Sequence, residues 1–551
     1  MLNILRKEGL ITALVLLGVF LFSLNQISDF DFFYHLKTGQ YIWQTASVPL
    51  YDVFSYTAPG ARWITHSWLF ELGLYGLYSL SGYWGIIVFV ALMGAATYAL
   101  VLALGRLLGA PLPFLLLLLF PLAALSFELW VPRPQIFSYF FLVAGVLLLE
   151  SFRHKADWRK LLVLELLILL WANVHASVIL GIAVFLFYAL LEIVKTKFAF
   201  LGAPQGKGAL RGLVVAAGIS PLVALINPNT YDTLLYFRAI QPVVEALGNI
   251  EWYSIMRYFS ILQAKIFAGM LFAVDALVVW RLIFRKESRS IGIAGTMLGI
   301  SLLPFISIRH VGYVPLMAVA ASALALQSFD GVRAFLARLA GFKMNLLLVL
   351  AAAIVLVAGF ARLPRESLNT HILSIGAVDF IAEQHITGPI FNMDRDGGYL
   401  IWKLWPQEKV FMDGRSEVYR GQSVKDLLAI VRKEDGWEKL VDEKYKINTF
   451  FLWYQPPLDR WMGPLVFSLL QKEFALVYWD DASIVMVRRT SQNSEVIRNY
   501  GFFVINPFVP PAQIRGVPKE VIAGEIKKAL ERSPDSVVLK NYATAFLGFT
   551  R

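Results

Sequence analysis

Long apolar stretches separated by short polar segments fill the first 361 residues. A helix of roughly 20 mostly apolar residues is long enough to cross a bilayer. The pattern therefore predicts a polytopic α-helical membrane protein with about eleven spans. The predicted spans are 9–26, 84–105, 112–129, 135–152, 160–173, 176–194, 212–227, 264–284, 291–308, 310–327 and 344–361.

Residues 27–83, between the first two predicted spans, are too polar to cross the membrane and too aromatic to form a free loop. Their apolar positions have helical spacing, which is typical of a segment lying in the membrane interface. Because aromatic side chains favour headgroup depth, we expect Trp43, Trp63, Trp68 and Tyr75 to lie there.

Basic residues mark alternate ends of the predicted spans. This distribution is the positive-inside pattern, so those ends face the cytoplasm. The N-terminus is then cytoplasmic, and an odd number of spans places the C-terminus in the periplasm of a bacterial inner membrane. The basic groups are Arg6/Lys7, Arg106, Arg153/Lys155/Arg159/Lys160, Lys195/Lys197/Lys207/Arg211, Arg281/Arg285/Lys286/Arg289 and Arg333/Arg338/Lys343.

The chain changes character after residue 361, where polar residues alternate with short strand and helix patterns. We expect three regions: a transmembrane domain at 1–361, a periplasmic α/β domain at 362–489, and a linker with a short helical tail at 490–551. Two amphipathic helices in the tail either dock on the domain or bind a partner. The α/β pattern predicts strands at 388–393, 409–414, 447–454, 474–479 and 483–489, and helices at 375–385, 424–432, 436–445 and 460–472.

Composition supports a membrane protein. Of 551 residues, 58% are hydrophobic and 16% charged, which is more apolar surface than a soluble chain could bury. The net charge of +11 does not indicate nucleic-acid binding, because most basic residues of the first 361 serve as loop anchors. The chain has no cysteine, which excludes disulfides, thiolate metal sites and cysteine nucleophiles.

The predicted outer ends of the spans carry single acids, histidines, amides and arginines instead of basic clusters. Ionisable groups at such depths are costly and usually functional. Taken singly, each also has a structural explanation: Asp29 and Asp31 could be solvated charges ending a helix, the arginines could contact headgroups, and His175 could be a hydrogen-bonded core residue. The outer residues are Asp29, Asp31, His35, His66, Glu128, Arg133, Asn173, His175, Asn227, Glu251, Arg309 and His310.

Acids and arginines at one membrane interface suit glycosyl transfer from a polyprenyl-phosphate-linked sugar. A carboxylate can accept the proton of the attacking acceptor hydroxyl. Arginine or histidine donors can stabilise the charge that develops on the leaving lipid phosphate. On this interpretation Arg309, His310 and Arg133 bind the phosphate. The other candidate site residues are His35, His66, Asn173, His175 and Glu251.

Several strings in residues 20–420 carry a family resemblance, among them DFDFFYHLKTGQYI, RPQIFSY, WANVHASVILG, IRHVGYVPLMAVA and VFMDGRSEVY. With DFD at 29–31 in the first outer loop, the chain resembles the glycosyltransferase C superfamily, which includes protein O-mannosyltransferases and the aminoarabinose transferase. The resemblance implies that Asp29 and Asp31 act as a base or as ligands of a divalent metal. It implies phosphate contacts for Arg309 or Arg133 without fixing which.

The VFMDGRSEVY segment has two interpretations. Asp413 and Arg415 could cap the site from above, or they could form a buried ion pair that closes a strand.

The sequence thus predicts a membrane glycosyltransferase acting on a periplasmic acceptor that is a lipid, a glycan or a protein. Two other classes stay open. A transporter or flippase of a lipid-linked glycan would also place charges at outer helix ends, although we find no internal repeat of the kind that such proteins show. A non-catalytic membrane assembly protein would use its C-terminal region to bind partners.

Overall fold

The computed structural model describes residues 2–125, 129–198, 201–285, 291–326, 329, 331, 334, 338, 342–453 and 462–550. The residues described form two units that are discontinuous in sequence. The first comprises residues 1–26, 65–238 and 248–367, and the second comprises 27–64, 239–247 and 368–551. Four residues of the sequence analysis, Glu128, Lys286, Arg289 and Arg333, lie outside the described ranges.

A helix occurs at every predicted span, although Trp68–Leu107 begins 16 residues and Leu2–Phe22 begins 7 residues before the predicted bound; residues 126–128 and 327 of the predicted spans are not described. The helices are Leu2–Phe22, Trp68–Leu107, Leu112–Leu125, Gln135–His154, Trp158–Val174, Val178–Lys195, Lys207–Val223, Leu262–Arg285, Ile291–Ile306, Tyr313–Leu326 and Phe342–Ala361; Asp232–Leu247 is a further helix.

Four helices in the described residues are long and apolar enough to cross a membrane: Trp68–Leu107, Gln135–His154, Val178–Lys195 and Leu262–Arg281. Shorter apolar helices are Gly9–Phe22, Ile291–Ile306 and Leu346–Ala361. The total of eleven spans stays a prediction.

Within the first unit, helices Leu2–Phe22 and Phe342–Ala361 pack closely at two glycines. A Cβ at Gly18 would lie 2.9 Å from Val355 Cγ1, and one at Gly359 would lie 2.8 Å from Leu21 Cβ. Helix Trp68–Leu107 is interrupted at Gly82, whose φ of 63° and ψ of −161° are not helical. That interruption falls two residues before the predicted start of the second span, so it separates a short helix from the long apolar one.

Two predicted cytoplasmic anchors are instead paired inside the first unit, at the C-terminal ends of two helices. Arg153 Nη1 lies 3.0 Å from Glu150 Oε1, and its Nε lies 3.3 Å from Glu192 Oε1. Lys195 Nζ lies 2.6 Å from the same Glu192 oxygen. These side chains are almost fully buried, so two glutamates pair with Arg153 and Lys195 inside this unit, and the cytoplasmic placement of these helix ends stays a prediction.

The second unit contains a four-stranded sheet. Its strands are β1 (Ile390–Phe391), β2 (Thr449–Trp453), β3 (Phe474–Trp479) and β4 (Ser483–Arg488). They are arranged in the order β1-β2-β4-β3. Strand β1 is parallel to β2, whereas β2 and β3 are each antiparallel to β4. The expected strand at 409–414 is wrong, because only Val410 forms bridges, to Ser55 and to Ile390.

Helices surround this sheet, and the one with the DRDGGY sequence was not expected. Two glycines in so short a run disfavour a helix, yet residues 394–404 form one. The helices are Phe32–Thr45, Ile375–Glu383, Asp394–Leu404, Gln422–Arg432, Trp437–Lys439, Met462–Lys472, Ser494–Tyr500, Lys519–Arg532 and Val537–Thr550, with a π-helical turn at Leu440–Lys444.

The start of the first loop is an integral part of this second unit. Ile27 pairs with Leu368 and Ser55 pairs with Val410, both in parallel bridges. The Phe33 ring packs edge-on against Tyr399, with 4.6 Å between centroids. The Trp63 side chain is only 2% exposed and packs inside this unit, while its depth in the membrane stays a prediction.

The two tail helices dock on the same unit. The Tyr542 hydroxyl donates to the Val509 carbonyl at 2.8 Å, and its ring packs against Trp479. Asp481 accepts hydrogen bonds from the Val537 and Val538 amides, which caps the last helix. Of the two alternatives for the tail, docking is therefore the one that this unit displays.

Candidate functional site

In the first unit, two arginines come together from two polar turns. Each turn lies at an end of apolar helices. Arg133 lies in the turn before helix Gln135–His154, where Pro134 occupies the N-cap position. Arg309 and His310 lie in the 3₁₀ turn Ile308–Gly312, between helices Ile291–Ile306 and Tyr313–Leu326. The two arginines are far apart in sequence and face the same carboxylate.

That carboxylate belongs to Glu251. Its Oε2 lies 3.1 Å from Arg133 Nη1, which donates a hydrogen bond to it, and 3.9 Å from Arg309 Nη1. The positive charge of Arg133, with a smaller contribution from Arg309, lowers the pKa of Glu251. Glu251 therefore carries its negative charge at neutral pH.

Hydrogen bonds between the turns fix this geometry. The Ser307 hydroxyl donates to the Glu251 carbonyl at 2.8 Å, and the Ile308 amide donates to the Tyr253 carbonyl at 2.8 Å. Gln135 Nε2 donates to the Arg309 carbonyl at 3.1 Å. Three segments of chain thus hold the arginines in place independently of the arginine side chains.

The Arg309 guanidinium lies over the Trp252 ring, 5.2 Å from its centroid. Within the described part of the chain it donates no hydrogen bond, and its side chain is 26% exposed. Stacking on an aromatic face orients the planar guanidinium while leaving its edge donors available. Arg309 can therefore receive an anion.

His310, the third predicted phosphate ligand, is close to Arg309 in sequence but turns to a different neighbour. Its Nδ1 lies 3.3 Å from the Ser307 carbonyl, and its ring is parallel to Tyr313 at 6.3 Å. The structure brings Arg133, Glu251 and Arg309 together and gives His310 a separate contact.

Two histidine candidates of this unit, His66 and His175, lie close together, and His175 is buried. His175 Nδ1 lies 2.9 Å from Ser138 Oγ and 2.7 Å from Ser177 Oγ. The His66 ring lies 5.7 Å from the His175 ring and 3.9 Å from that of Tyr236. These hydroxyl partners fit the alternative in which His175 is a hydrogen-bonded core residue.

Asn173 links its own helix to the start of helix Trp68–Leu107 and to the segment after helix Lys207–Val223. Its Oδ1 accepts from Trp68 Nε1 at 2.8 Å, and its Nδ2 donates to the carbonyls of Leu169 and Ile226. With its amide group committed to these neighbours, Asn173 supports the surrounding helices.

In the second unit, the DFD motif stands directly before helix Phe32–Thr45, with Asp31 at the N-cap position. Asp29 Oδ1 accepts a hydrogen bond from the Asp31 amide at 2.8 Å, and Asp29 is 9% exposed. His35, one helical turn on, is buried and packs beside the Tyr34 ring at 4.1 Å. Asp29 is thus more enclosed than a solvated helix-end charge would be.

Gly414 of the VFMDGRSEVY segment covers Asp31. A Cβ at Gly414 would lie 2.2 Å from Asp31 Oδ1 and 3.0 Å from the Tyr34 ring, so any larger residue would displace the acid. This contact joins the first-loop motif to the segment that carries Asp413 and Arg415.

Asp413 and Arg415 form the buried ion pair that was one of the two interpretations. Arg415 Nε and Nη2 donate to the two Asp413 oxygens at 2.7 and 2.6 Å, and the Tyr419 hydroxyl donates to Asp413 Oδ2 at 2.5 Å. The sequence analysis missed Asp52, whose Oδ1 lies 2.8 Å from Arg415 Nη2.

The described residues contain no group of three His, Asp or Glu side chains that could hold a metal ion. Asp29 and Asp31 are linked by the hydrogen bond from the Asp31 amide to Asp29 Oδ1. The role of these acids as metal ligands stays a prediction from the resemblance.

Comparison with solved structures identifies the fold. The structure matches the oligosaccharyltransferase AglB from Archaeoglobus fulgidus in complex with an inhibitory peptide and a dolichol-phosphate, at a TM-score of 0.54 and 12% identity. The match covers 88% of this chain and 74% of that one. ArnT from Cupriavidus metallidurans bound to undecaprenyl phosphate matches at a TM-score of 0.51 and 14% identity, over 88% and 98% of the two chains. The chain has a glycosyltransferase C fold.

A third solved structure, the A. fulgidus oligosaccharyltransferase in complex with Zn and sulfate, matches at a TM-score of 0.52 and 12% identity over 86% of this chain and 73% of that one. No protein-family model and no curated protein matches the sequence. AglB and ArnT are both C-type glycosyltransferases, so the resemblance drawn from the sequence is confirmed at the level of the fold.

Proposed function

We propose that this protein is a membrane glycosyltransferase that takes a sugar from a polyprenyl-phosphate-linked donor. The observation that carries the proposal is Arg309, a stacked arginine with uncommitted donors, in a fold whose solved members include complexes with dolichol-phosphate and undecaprenyl phosphate. The planar guanidinium matches the geometry of a phosphate better than an ammonium does.

The proposed topology has eleven spans, a cytoplasmic N-terminus and a periplasmic C-terminal domain in a bacterial inner membrane. The basic clusters at alternate span ends support it. On this topology Arg133, Glu251 and Arg309 lie at the periplasmic face, where the phosphate of a lipid-linked donor also lies.

In the proposed reaction, an acceptor hydroxyl attacks the anomeric carbon of the donor sugar. Its proton passes to a first-loop carboxylate, Asp29 or Asp31, as a new glycosidic bond forms. The bond between the anomeric carbon and the phosphate oxygen breaks, and the electron pair leaves with the polyprenyl phosphate. Arg309, with Arg133, stabilises the negative charge that develops on that phosphate.

Release of polyprenyl phosphate from a panel of polyprenyl-phospho-sugars, by protein reconstituted in vesicles with a membrane extract as acceptor, tests this proposal. We expect release from at least one donor and transfer of its sugar to the extract. Movement of the donor across the vesicle membrane without sugar release would instead identify a flippase. If the folded protein neither releases the sugar nor moves the donor, the result favours an assembly protein.

A further inference from the structure

The Arg133–Glu251–Arg309 cluster contains a carboxylate in the position where an anionic ligand would be expected. Glu251 is within hydrogen-bond distance of Arg133 and within 3.9 Å of Arg309. Its side chain is 45% exposed, whereas those of Arg133 and Arg309 are 15% and 26% exposed. The acid is thus the most accessible of the three side chains.

A phosphate that approached Arg309 would meet the Glu251 carboxylate at close range. Like charges about 4 Å apart repel strongly near a protein surface. The carboxylate is not removed by protonation, because the arginines lower the pKa of Glu251 and keep it charged at neutral pH. The phosphate must therefore move Glu251 or bind against its charge.

The surroundings of Glu251 allow its side chain to move while its backbone stays in place. The backbone is fixed by the Ser307 hydroxyl, which donates to the Glu251 carbonyl, and by the Asn249 side chain, which accepts from the Glu251 amide at 3.0 Å. In the part of the chain that the structure describes, the carboxylate itself pairs with the two arginines. Rotation of the side chain away from the arginines would release both.

We infer that Glu251 is an internal competitor for the phosphate site: it neutralises the two arginines in the ligand-free protein and is displaced when a lipid phosphate binds. This inference rests on the proposed function. It assigns Glu251 a regulatory role in which the carboxylate lowers the affinity for the phosphate and so favours release of the polyprenyl phosphate product. A residue that oriented the arginines for the phosphate would have the opposite effect on affinity.

Binding of undecaprenyl phosphate to the purified full-length protein in detergent distinguishes these roles. We expect Glu251→Gln, which removes the charge and keeps the shape, to bind at least about tenfold more tightly than the wild type, an effect of roughly 1.4 kcal/mol. Glu245→Gln removes one negative charge from the helix that precedes Glu251 in the sequence and should change binding less than about twofold. The double variant Glu251→Gln/Arg309→Gln should lose the gain, since the added affinity depends on Arg309.

Other outcomes separate this inference from the proposed function. If the wild type binds and Glu251→Gln binds equally or more weakly, Glu251 is not a competitor, although the phosphate site stands. If neither protein binds and both melt cooperatively, the phosphate site and the proposed function fail together. Glu251→Ala provides a second neutral variant, and it should also bind more tightly; should both neutral variants misfold, Glu251 is needed to hold the turn and the competitor role is refuted.

Discussion

Arg415 and Asp52 form a buried ion pair, with Nη2 and Oδ1 2.8 Å apart, between residues that are 363 positions apart in sequence. Asp413 binds the same guanidinium, and Trp63 lies 4.3 Å from it. One arginine therefore ties two parts of the first loop to the segment whose Gly414 covers Asp31. The position of Asp31 therefore depends on this contact as well as on its own helix.

We predict that Arg415→Ala destabilises the second unit by about 3–5 kcal/mol, because it leaves two buried carboxylates without a positive partner. Thermal unfolding of the purified protein measures the effect. Arg432→Ala is the control: Arg432 pairs with Glu434 at 3.6 Å on the surface, and such pairs contribute about 0–1 kcal/mol. Equal melting of the two variants would show that the Arg415 network does not stabilise the fold.

The first-loop acids should be needed for chemistry and not for folding. Asp29→Asn keeps a side-chain oxygen that can accept from the Asp31 amide, so we expect little change in thermal stability. At least one of Asp29→Asn and Asp31→Asn should lower sugar transfer by roughly 10²–10⁴, as loss of a general base does. Near-normal transfer by both variants would remove these acids from the mechanism.

Much of the fold could be predicted from the sequence because its determinants are local. Apolar length alone predicts the helices at the eleven expected spans but not Asp232–Leu247, and strand patterning predicts β2, β3 and β4. The 409–414 segment has the apolar character of a strand, but within it only Val410 pairs with neighbouring segments, which is too little to form a strand. Helix Asp394–Leu404 was not predicted because its two glycines disfavour a helix. The fold shows why glycine is needed there: a Cβ at Gly398 would lie 2.5 Å from the Phe30 carbonyl.

The site was predictable in its residue types and not in its pairings. Arg133 and Arg309 stand out because they lie at the predicted outer ends of spans, away from the basic clusters. Nothing local indicates that Glu251 would pair with both or that Arg309 would lie over the Trp252 ring. Asp52 was missed for the same reason, since in sequence it is an ordinary acid in a turn. Its carboxylate bonds to the Phe54 amide and to Ser55, and only the fold brings Arg415 to it.

Asp396 should make stability depend on pH. Burial raises the pKa of its carboxyl to about 7, from an ordinary value of 3.8, and its Oδ2 has no hydrogen-bond partner among the described residues. The folded protein then holds a proton that the unfolded chain releases, so stability falls as pH rises from about 4 to 7 and levels off above.

Asp396→Asn stays neutral and should lack this slope. Its melting temperature should exceed that of the wild type by a margin that widens from pH 4.5 to pH 7 and is constant above. Asp480, whose pKa burial raises to about 6, contributes equally to both proteins and cancels in the difference. Parallel pH profiles for the two proteins would show that Asp396 titrates normally.

The proposed topology predicts that a reporter fused after Arg489 is active only in a form that works in the periplasm. Arg489 follows β4, so the fusion retains the whole sheet. A fusion after Lys155, in a predicted cytoplasmic loop, should give the reverse result. Cytoplasmic activity of the Arg489 fusion would overturn the odd number of spans and the outer placement of the arginines.

We propose that Arg309 binds the phosphate of a polyprenyl lipid. The most direct test is the affinity of purified protein for undecaprenyl phosphate, compared between the wild type, Arg309→Lys and Arg133→Lys. Lysine keeps the positive charge but loses the planar set of guanidinium donors that matches a phosphate. Arg309→Lys should therefore weaken binding about tenfold or more with little change in thermal stability, and Arg133→Lys should weaken binding less. Unchanged affinity in Arg309→Lys, or no binding by well-folded wild type, would contradict the account.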